Sequence, residues 1–330
     1  MKKITFYICI LALSLFVSCK TKKMDTSNRV NIICTIFPEY DWARNIIDTE
    51  NDTKTTLSLL VKNGVDLHSY QPSATDIINL KTCDVLMYVG GESDKWIGEV
   101  LENATNKNMI VINLMEILKN HIKEEEIIEG MQSEHHHDEN HNENHDEENE
   151  IDYDEHVWLS LKNAKIICEY FTKILCSLVP ENALEYQTRL EEYLKKLDSM
   201  DFSFKAATSE YQNKTLVFCD RFPFRYLLDD YDINYFAAFA GCSAETEASF
   251  ETVAFLANKL NELNLNSVIV LENSNKKIAK TVIENAKRPK CDILTMNSMQ
   301  SVTLRQAFAG VSYIGEMQKN LETIQISLKN

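Results

Sequence analysis

Apolar, β-branched segments alternate with helical stretches along the first half of the chain. The apolar segments predict β-strands, at residues 30–37, 55–61, 85–90 and 109–114. Helical stretches lie between them, at residues 41–49, 75–82 and 93–105. This alternation is typical of a parallel sheet with helices on both of its faces.

The same alternation returns in the second half, after a long helical stretch. Strands are predicted at 215–220, 233–240, 267–272 and 292–296, with helices at 246–263 and 274–286. Residues 182–211 predict one helix, which at ~1.5 Å per residue would be roughly 40 Å long and could run between two domains. We therefore predict an α/β protein with two lobes, residues 30–181 and 212–330, joined by that helix. A ligand is expected between the lobes, at the carboxyl ends of the strands.

The N-terminus has the pattern of an export signal. A short basic start precedes an uncharged apolar run, residues 4–18, which is too short to span a bilayer as a helix. The run ends in the letters LFVSC, which resemble the bacterial lipobox, whose Cys becomes the lipidated first residue of the mature protein. We predict a signal peptide over residues 1–18, lipidation at Cys19 and a polar spacer within 19–29. The protein would then be extracytoplasmic and anchored by lipid to the bacterial cell membrane. The alternative is a cleaved signal with an incidental Cys.

Nearly all of the net charge of −16 lies in one segment. Residues 124–155 contain 15 Asp or Glu and no Lys or Arg, so the rest of the chain is almost neutral. Without a basic excess to neutralise phosphates, binding to nucleic acid is not expected. Five histidines share this segment: His135, His136, His137, His141 and His145. Such a tract is expected to hold several metal ions weakly, since each site must be ordered from a chain that cannot pack a core. The alternative is a solvated linker.

Apart from Cys9 in the signal and Cys19, seven cysteines remain, an odd number with no CxxC spacing. Most lie in apolar surroundings and are interpreted as buried, reduced thiols rather than a disulfide framework or a multi-thiolate zinc site. They are Cys34, Cys83, Cys168, Cys176, Cys219, Cys242 and Cys291. Cys219 is a candidate exception.

Two histidines stand in contexts that suggest a single metal site. His68 follows a predicted strand, in a loop, and His156 immediately precedes a predicted helix. Imidazole suits zinc and other transition metals, and carboxylates can complete such a shell. Either His alone would more often be a surface or core residue, but the two together favour a ligand pair.

The motifs around these histidines resemble those of the zinc- and manganese-binding lipoproteins of bacterial ABC transporters. Residues 36–43, IFPEYDWA, resemble the opening strand and helix of that family. Residues 64–72, GVDLHSYQP, resemble its G-x-D-x-H-x-Y-x-P loop, and residues 154–159, DEHVWL, resemble its D-P-H-x-W-L motif. Zinc-binding members often carry a His-rich acidic loop just before that second motif, as here. The resemblance implies that His68 and His156 are metal ligands. It also implies metal held in a cleft between two α/β lobes joined by a long rigid helix.

The second lobe departs from the family pattern. The family places a His or Glu ligand at the start of a segment like H-D-A-F-x-Y, whereas residues 219–224 read CDRFPF, and no His follows His156. Aligned without a gap, the ligand position falls on Cys219, but we favour Asp220, the next residue. The fourth ligand of the family is often an Asp after a late strand, where this chain has Asn297. Glu272, at the end of another strand, is a further candidate.

Two His with carboxylates or a thiolate fit zinc by ligand type and number, whereas manganese prefers more oxygen donors. The resemblance therefore implies a protein that captures Zn²⁺ outside the cell and delivers it to an ABC permease, without catalysis and as a monomer. A manganese-binding member and a metal-binding surface adhesin are alternatives within the family. A zinc hydrolase is the alternative from another class, although the sequence lacks H-E-x-x-H.

Overall fold

The fold consists of two four-stranded sheets whose strands are all parallel, seen in a computed structural model that describes residues 29–61, 64–132, 152–243 and 247–329. The first sheet has the strand order β2–β1–β3–β4, with β1 at Val30–Cys34, β2 at Thr55–Leu59, β3 at Val85–Tyr88 and β4 at Ile110–Asn113. The accompanying helices are α1 (Phe37–Ile47), α2 (Ala74–Thr82), α3 (Lys95–Glu102), α4 (Leu114–Ile117) and α5 (Leu161–Leu178).

The long helix α6 (Ala183–Ser209) leads into the second sheet. That sheet has the order β6–β5–β7–β8, with β5 at Thr215–Phe222, β6 at Asn234–Ala240, β7 at Ser267–Leu271 and β8 at Asp292–Met296. Its helices are α7 (Arg225–Asp229), α8 (Phe250–Glu262), α9 (Lys277–Asn285), α10 (Leu304–Phe308) and α11 (Tyr313–Leu328). The predicted fold class, two parallel-sheet lobes with a long helix between them, is confirmed.

Strand β1 ends three residues earlier than predicted, because the Glu39 side chain accepts hydrogen bonds from the backbone and stabilises the start of a helix. The buried Glu39 carboxylate accepts the backbone N–H of Thr35 at 2.7 Å and that of Ile36 at 3.3 Å, while Pro38 occupies the first turn of α1. The Ile36 N–H thereby gains a partner at the helix start, while the Thr35 N–H also donates to the Met87 carbonyl at 3.0 Å. Helix α1 therefore begins at Phe37, ahead of the predicted start.

Helix α6 contacts both lobes, one with each half. Near its start, Tyr186 is buried and its hydroxyl donates to Asp52 of the first lobe. Near its end, the ring of Phe204 stacks on Tyr231 of the second lobe, with centroids 4.8 Å apart. The helix thus fixes the distance between the lobes.

Helix α11, for which the sequence pattern gave no prediction, packs against the first lobe as well as the second. The Tyr313 backbone N–H donates to Asp41 of α1 at 2.9 Å, and its hydroxyl donates to the carbonyl of Trp158 at 2.7 Å. Arg44 of α1 donates to the carbonyls of Ala307 and Val311 at 2.9 and 2.7 Å. The C-terminal part of the chain therefore forms a second connection between the lobes.

A third connection comes from residues 123–132, which leave the first lobe and lie along the second. The Gln132 backbone N–H donates to the carbonyl of Ala238 in β6 at 2.9 Å, and its side chain accepts the Ser249 N–H at 2.7 Å. Gly130, with φ +79°, lies against the ring of Phe255, where a β-carbon would come within 2.0 Å. Only glycine fits this contact.

Within the described residues, no helix combines the length and the apolar character needed to cross a membrane.

Candidate metal centre

The two motif histidines are held by the same local device, an Asp two residues earlier. His68 lies in a short 3₁₀ helix, Leu67–Ser69, and its backbone N–H donates to Asp66 Oδ1 at 3.0 Å. The His156 N–H likewise donates to Asp154 Oδ1 at 2.8 Å. An Asp side chain that bonds the backbone two residues on stabilises a turn and fixes the direction of the next side chain. In both D-x-H sequences, the Asp therefore fixes the direction in which the His imidazole points.

The two imidazoles meet edge to edge. His68 Nε2 lies 3.3 Å from His156 Nε2, and the ring centroids are 5.3 Å apart. Two nitrogens that each bind zinc at 2.0–2.1 Å in tetrahedral geometry lie about 3.3–3.4 Å apart. The pair therefore has the spacing of one edge of a zinc coordination tetrahedron.

The outward-facing nitrogens of both rings are also engaged. Asp154 Oδ1 lies 2.9 Å from His156 Nδ1. The Ser93 hydroxyl lies 2.5 Å from His68 Nδ1 and donates to Glu155 Oε1 at 2.7 Å. Such partners on the far side of a ligating imidazole fix its tautomer and orientation, leaving each Nε2 free for a metal.

The two rings differ in protonation. Burial and the adjacent charge of His156 lower the pKa of His68 to about 3, so His68 is neutral. Burial alone would lower the pKa of His156, but the charge of Asp154 and its hydrogen bond raise it above the ordinary value. The pair therefore carries its first proton on His156, and an arriving metal ion competes with that proton.

The second lobe contributes the thiol of Cys242 to this pair. Ligand atoms of His68, His156 and Cys242 all lie within 4.8 Å of one another, and this is the group of metal-binding side chains found among the described residues. The thiol donates to Glu155 Oε1 at 3.5 Å. Burial, together with the charges of Glu155 and Glu125, raises the pKa of Cys242, so the free thiol is protonated.

Cys219 and Asp220, the favoured sequence candidates, lie in an irregular part of β5, where its register with β6 shifts. Cys219 borders the pocket, but it is only 1% exposed and packs with the apolar cluster of the second lobe. Asp220 lines the pocket, and its Oδ1 accepts the Arg221 N–H at 3.0 Å. The structure brings neither residue into the group formed by the two histidines and Cys242.

Glu272 and Asn297 are occupied by hydrogen bonds within the second lobe. Glu272 accepts the Ser298 N–H at 3.0 Å and its hydroxyl at 2.8 Å. Asn297 donates to Glu316 of α11 at 2.8 Å, and its Oδ1 accepts the Met299 N–H at 2.8 Å. Glu272 lines the pocket, whereas Asn297 is turned toward α11. The predicted roles of both as ligands stay predictions, as do those of the five loop histidines and Cys19, which lie outside the described residues.

A pocket of about 370 Å³ opens over the group, between the lobes. Its walls include Asp66 and His68 from the first lobe, and Asp220, Cys242 and Glu272 from the second. The lobes are also joined across it by an ion pair, in which Arg221 donates to Asp66 at 2.7 Å. Since Asp66 also supports His68, the ion pair links the second lobe directly to the histidine loop.

Two parallel-sheet lobes that meet over a pocket with paired imidazoles define a two-lobed binding protein for a metal ion. A family model described as zinc-uptake complex component A, periplasmic (ZnuA), matches residues 32–326. The chain belongs to that family, and the resemblance noted from its motifs is confirmed.

Individual relatives are distant in sequence. The zinc-binding protein AdcA of Streptococcus pyogenes is 25% identical over 317 residues, covering 93% of this chain and 58% of the relative. The high-affinity zinc uptake system protein ZnuA of Bacillus subtilis is 24% identical over 301 residues, covering 91% and 88%. The chain therefore spans little more than half the length of the streptococcal relative.

The fold matches solved structures. The Zn(II)-bound ZnuA-like domain of Streptococcus pneumoniae AdcA superposes with a TM-score of 0.69 at 22% identity, covering 92% of this chain and 100% of that one. The two-lobed architecture is thus shared with that domain.

Cys242, Ser93 and Glu155 were not singled out by the sequence pattern. Cys242 was grouped with the core thiols, yet it stands between Gly241 and Ser243, just past the end of a predicted strand. Glu155 occupies the position of the Pro in the D-P-H pattern. The positions of Cys242 and Glu155 were the two features of the sequence from which their place in the site could have been predicted.

Proposed function

We propose that this chain captures Zn²⁺ outside the cell, in the pocket between its lobes, and delivers it to an ABC permease for import. His68 and His156 hold the ion from the first lobe, and the second lobe completes the shell. The zinc ion is cargo, bound and released without reaction. The chain acts as a monomer, anchored to the membrane through lipid on Cys19, and the His-rich loop serves as an accessory, weak store of metal.

The observation that carries this proposal is the 3.3 Å separation of the two Nε2 atoms. An Asp bonds the backbone N–H of each histidine, and Ser93 and Asp154 contact the Nδ1 atoms of His68 and His156. Nitrogen donors at this spacing favour zinc over manganese, which prefers an oxygen-rich shell. Membership of a zinc-uptake family, matched over residues 32–326, supports the same cargo.

The test is a competitive zinc titration of the purified full chain against a chromophoric chelator. One tight site is expected, and it should be lost in the double variant His68→Ala, His156→Ala. His121→Ala is the matched control, because His121 is an exposed histidine of the same lobe that does not belong to the group. Unchanged tight binding in the double variant would refute the proposed site, and a tighter site for manganese than for zinc would refute the cargo.

A further inference from the structure

Cys242 differs from the buried cysteines of the chain in what surrounds its sulfur. Cys34, Cys83, Cys168 and Cys219 are at most 1% exposed, and each belongs to an apolar cluster. Cys242 is half-buried in the wall of the pocket, with its thiol directed at the Glu155 carboxylate. Its sulfur therefore faces a carboxylate and a space that an ion could enter.

The backbone around Cys242 is built to bring this sulfur to His156. Gly241 follows the end of β6, and a β-carbon there would lie 2.8 Å from His156 Cε1 and 2.9 Å from the Phe222 carbonyl. The chain can pass this close to the imidazole only at a glycine. The next residue is held in place by its N–H, which donates to Glu125 Oε1 at 3.3 Å.

The distances fit a tetrahedral shell after a small movement. With a Zn–S bond of about 2.3 Å and Zn–N bonds of about 2.0–2.1 Å, the sulfur should lie about 3.5–3.6 Å from each nitrogen. The present atoms lie within 4.8 Å of one another, so the sulfur needs to approach by little more than 1 Å. A side-chain rotation or a slight closure of the lobes supplies that movement.

We propose that Cys242 is the ligand from the second lobe and the residue that makes the site selective for zinc over manganese. This inference rests on the proposed function, and it assigns the role to Cys242 in place of Asp220 or Cys219. A thiolate is a soft donor that suits zinc and is poorly matched to manganese, which favours oxygen. Binding would transfer the thiol proton to solvent and form a Zn–S bond.

The test uses the purified full chain, kept reduced with a phosphine, and the variants Cys242→Ser and Cys219→Ser. Cobalt(II) serves as the probe, because a thiolate ligand gives it an intense charge-transfer band in the near-ultraviolet. The band is expected in the parent protein and in Cys219→Ser, and it should be absent in Cys242→Ser. Zinc affinity in Cys242→Ser should fall by roughly 100-fold.

A third variant, Cys242→Asp, keeps a ligand at the position and tests selectivity independently of folding. We expect it to bind zinc more weakly and manganese more tightly, so that the ratio of the two affinities narrows by at least about tenfold. Thermal melting of all three metal-free variants identifies any that fail to fold.

Three outcomes would overturn the inference. A band that survives in Cys242→Ser but vanishes in Cys219→Ser would make Cys219 the ligand. Tight zinc binding by the parent protein without any thiolate band would point to an oxygen donor such as Asp220, leaving the proposed function intact. An unchanged ratio of zinc affinity to manganese affinity in Cys242→Asp would refute the role of Cys242 in selectivity. A parent protein that binds no zinc would instead refute the proposed function.

Discussion

Gly241 offers a test of how closely the site depends on the position of His156. In a Gly241→Ala variant, the new β-carbon would lie 2.8 Å from His156 Cε1. Non-bonded carbon atoms pack at about 3.5–4.0 Å, so the imidazole must retreat by roughly 0.7 Å or more. The Phe222 carbonyl, 2.9 Å from the same β-carbon, blocks relief by movement of the alanine away from the ring.

That displacement exceeds what a zinc site tolerates. Bond lengths in such sites hold to about ±0.2 Å, and the present 3.3 Å separation of the two Nε2 atoms already matches a zinc tetrahedron. We expect zinc affinity to fall by roughly 10- to 100-fold, the loss typical of disturbing the support of a ligand. This corresponds to about 1.4–2.7 kcal/mol of binding free energy.

The assay is a competitive zinc titration combined with thermal melting of the metal-free protein. Gly98→Ala is the matched control, because Gly98 lies on the exposed side of α3 and a β-carbon there would meet nothing within 4 Å. It should leave zinc affinity unchanged and stabilise the helix by about 0.5–1 kcal/mol. If Gly241→Ala binds zinc as tightly as the parent protein, His156 is not held in a fixed position and the reasoning fails.

Three further predictions concern the supports of the site and of the lobes. Asp154→Asn should lower zinc affinity by roughly 10- to 100-fold in calorimetric titrations, since it removes the negative charge that orients His156; an unchanged affinity would exclude that role. Replacing residues 133–150 with a Gly/Ser linker of equal length should abolish weak zinc binding and leave one tight site, measured by equilibrium dialysis; loss of the tight site would place it in the loop. Arg44→Met should lower the free energy of unfolding in urea by about 3–5 kcal/mol, because it leaves the fully buried Asp41 carboxylate without its cationic partner. The control Arg189→Met, which breaks partly exposed ion pairs, should lower it by at most about 1 kcal/mol. Since burial already raises the pKa of Asp41, protonation relieves the stranded charge as the pH falls, so the Arg44→Met loss should be smaller at pH 5 than at pH 8; equal losses would contradict the buried-charge explanation.

The order of strands and helices could be predicted because each apolar strand is bounded by polar, helix-forming sequence. The bounds were less predictable where a side chain acts at short range. Glu39 ends β1 by binding the N–H groups of Thr35 and Ile36, and periodicity carries no trace of such a contact. Helix α11 was not predicted, and its buried face includes the polar residues Glu316, Asn320 and Ser327, which weaken the apolar pattern.

The first-lobe half of the candidate site could be predicted because both histidines sit in local D-x-H motifs, where the sequence itself specifies the turn. The second-lobe half depends on which side of a strand end faces the pocket. Both thiols border the pocket, but Cys219 lies in the irregular part of β5, is buried and packs into the apolar cluster, while Cys242 follows the neighbouring strand and lies close to both histidines. Both thiols come at or just after the end of an apolar stretch, and only the three-dimensional arrangement distinguishes them.

Strand β6 lies at one edge of the second sheet, and its sequence, NYFAAFA, is apolar after the first residue. Such an exposed edge would invite pairing with other chains and aggregation. The segment ending at Gln132 pairs with this edge at Phe239 and carries acidic residues beside it. Because that segment comes from the first lobe, the second lobe without it would have an unpaired, aggregation-prone edge at β6. A second lobe that folds before residues 123–132 dock on it would therefore be the species most prone to aggregate.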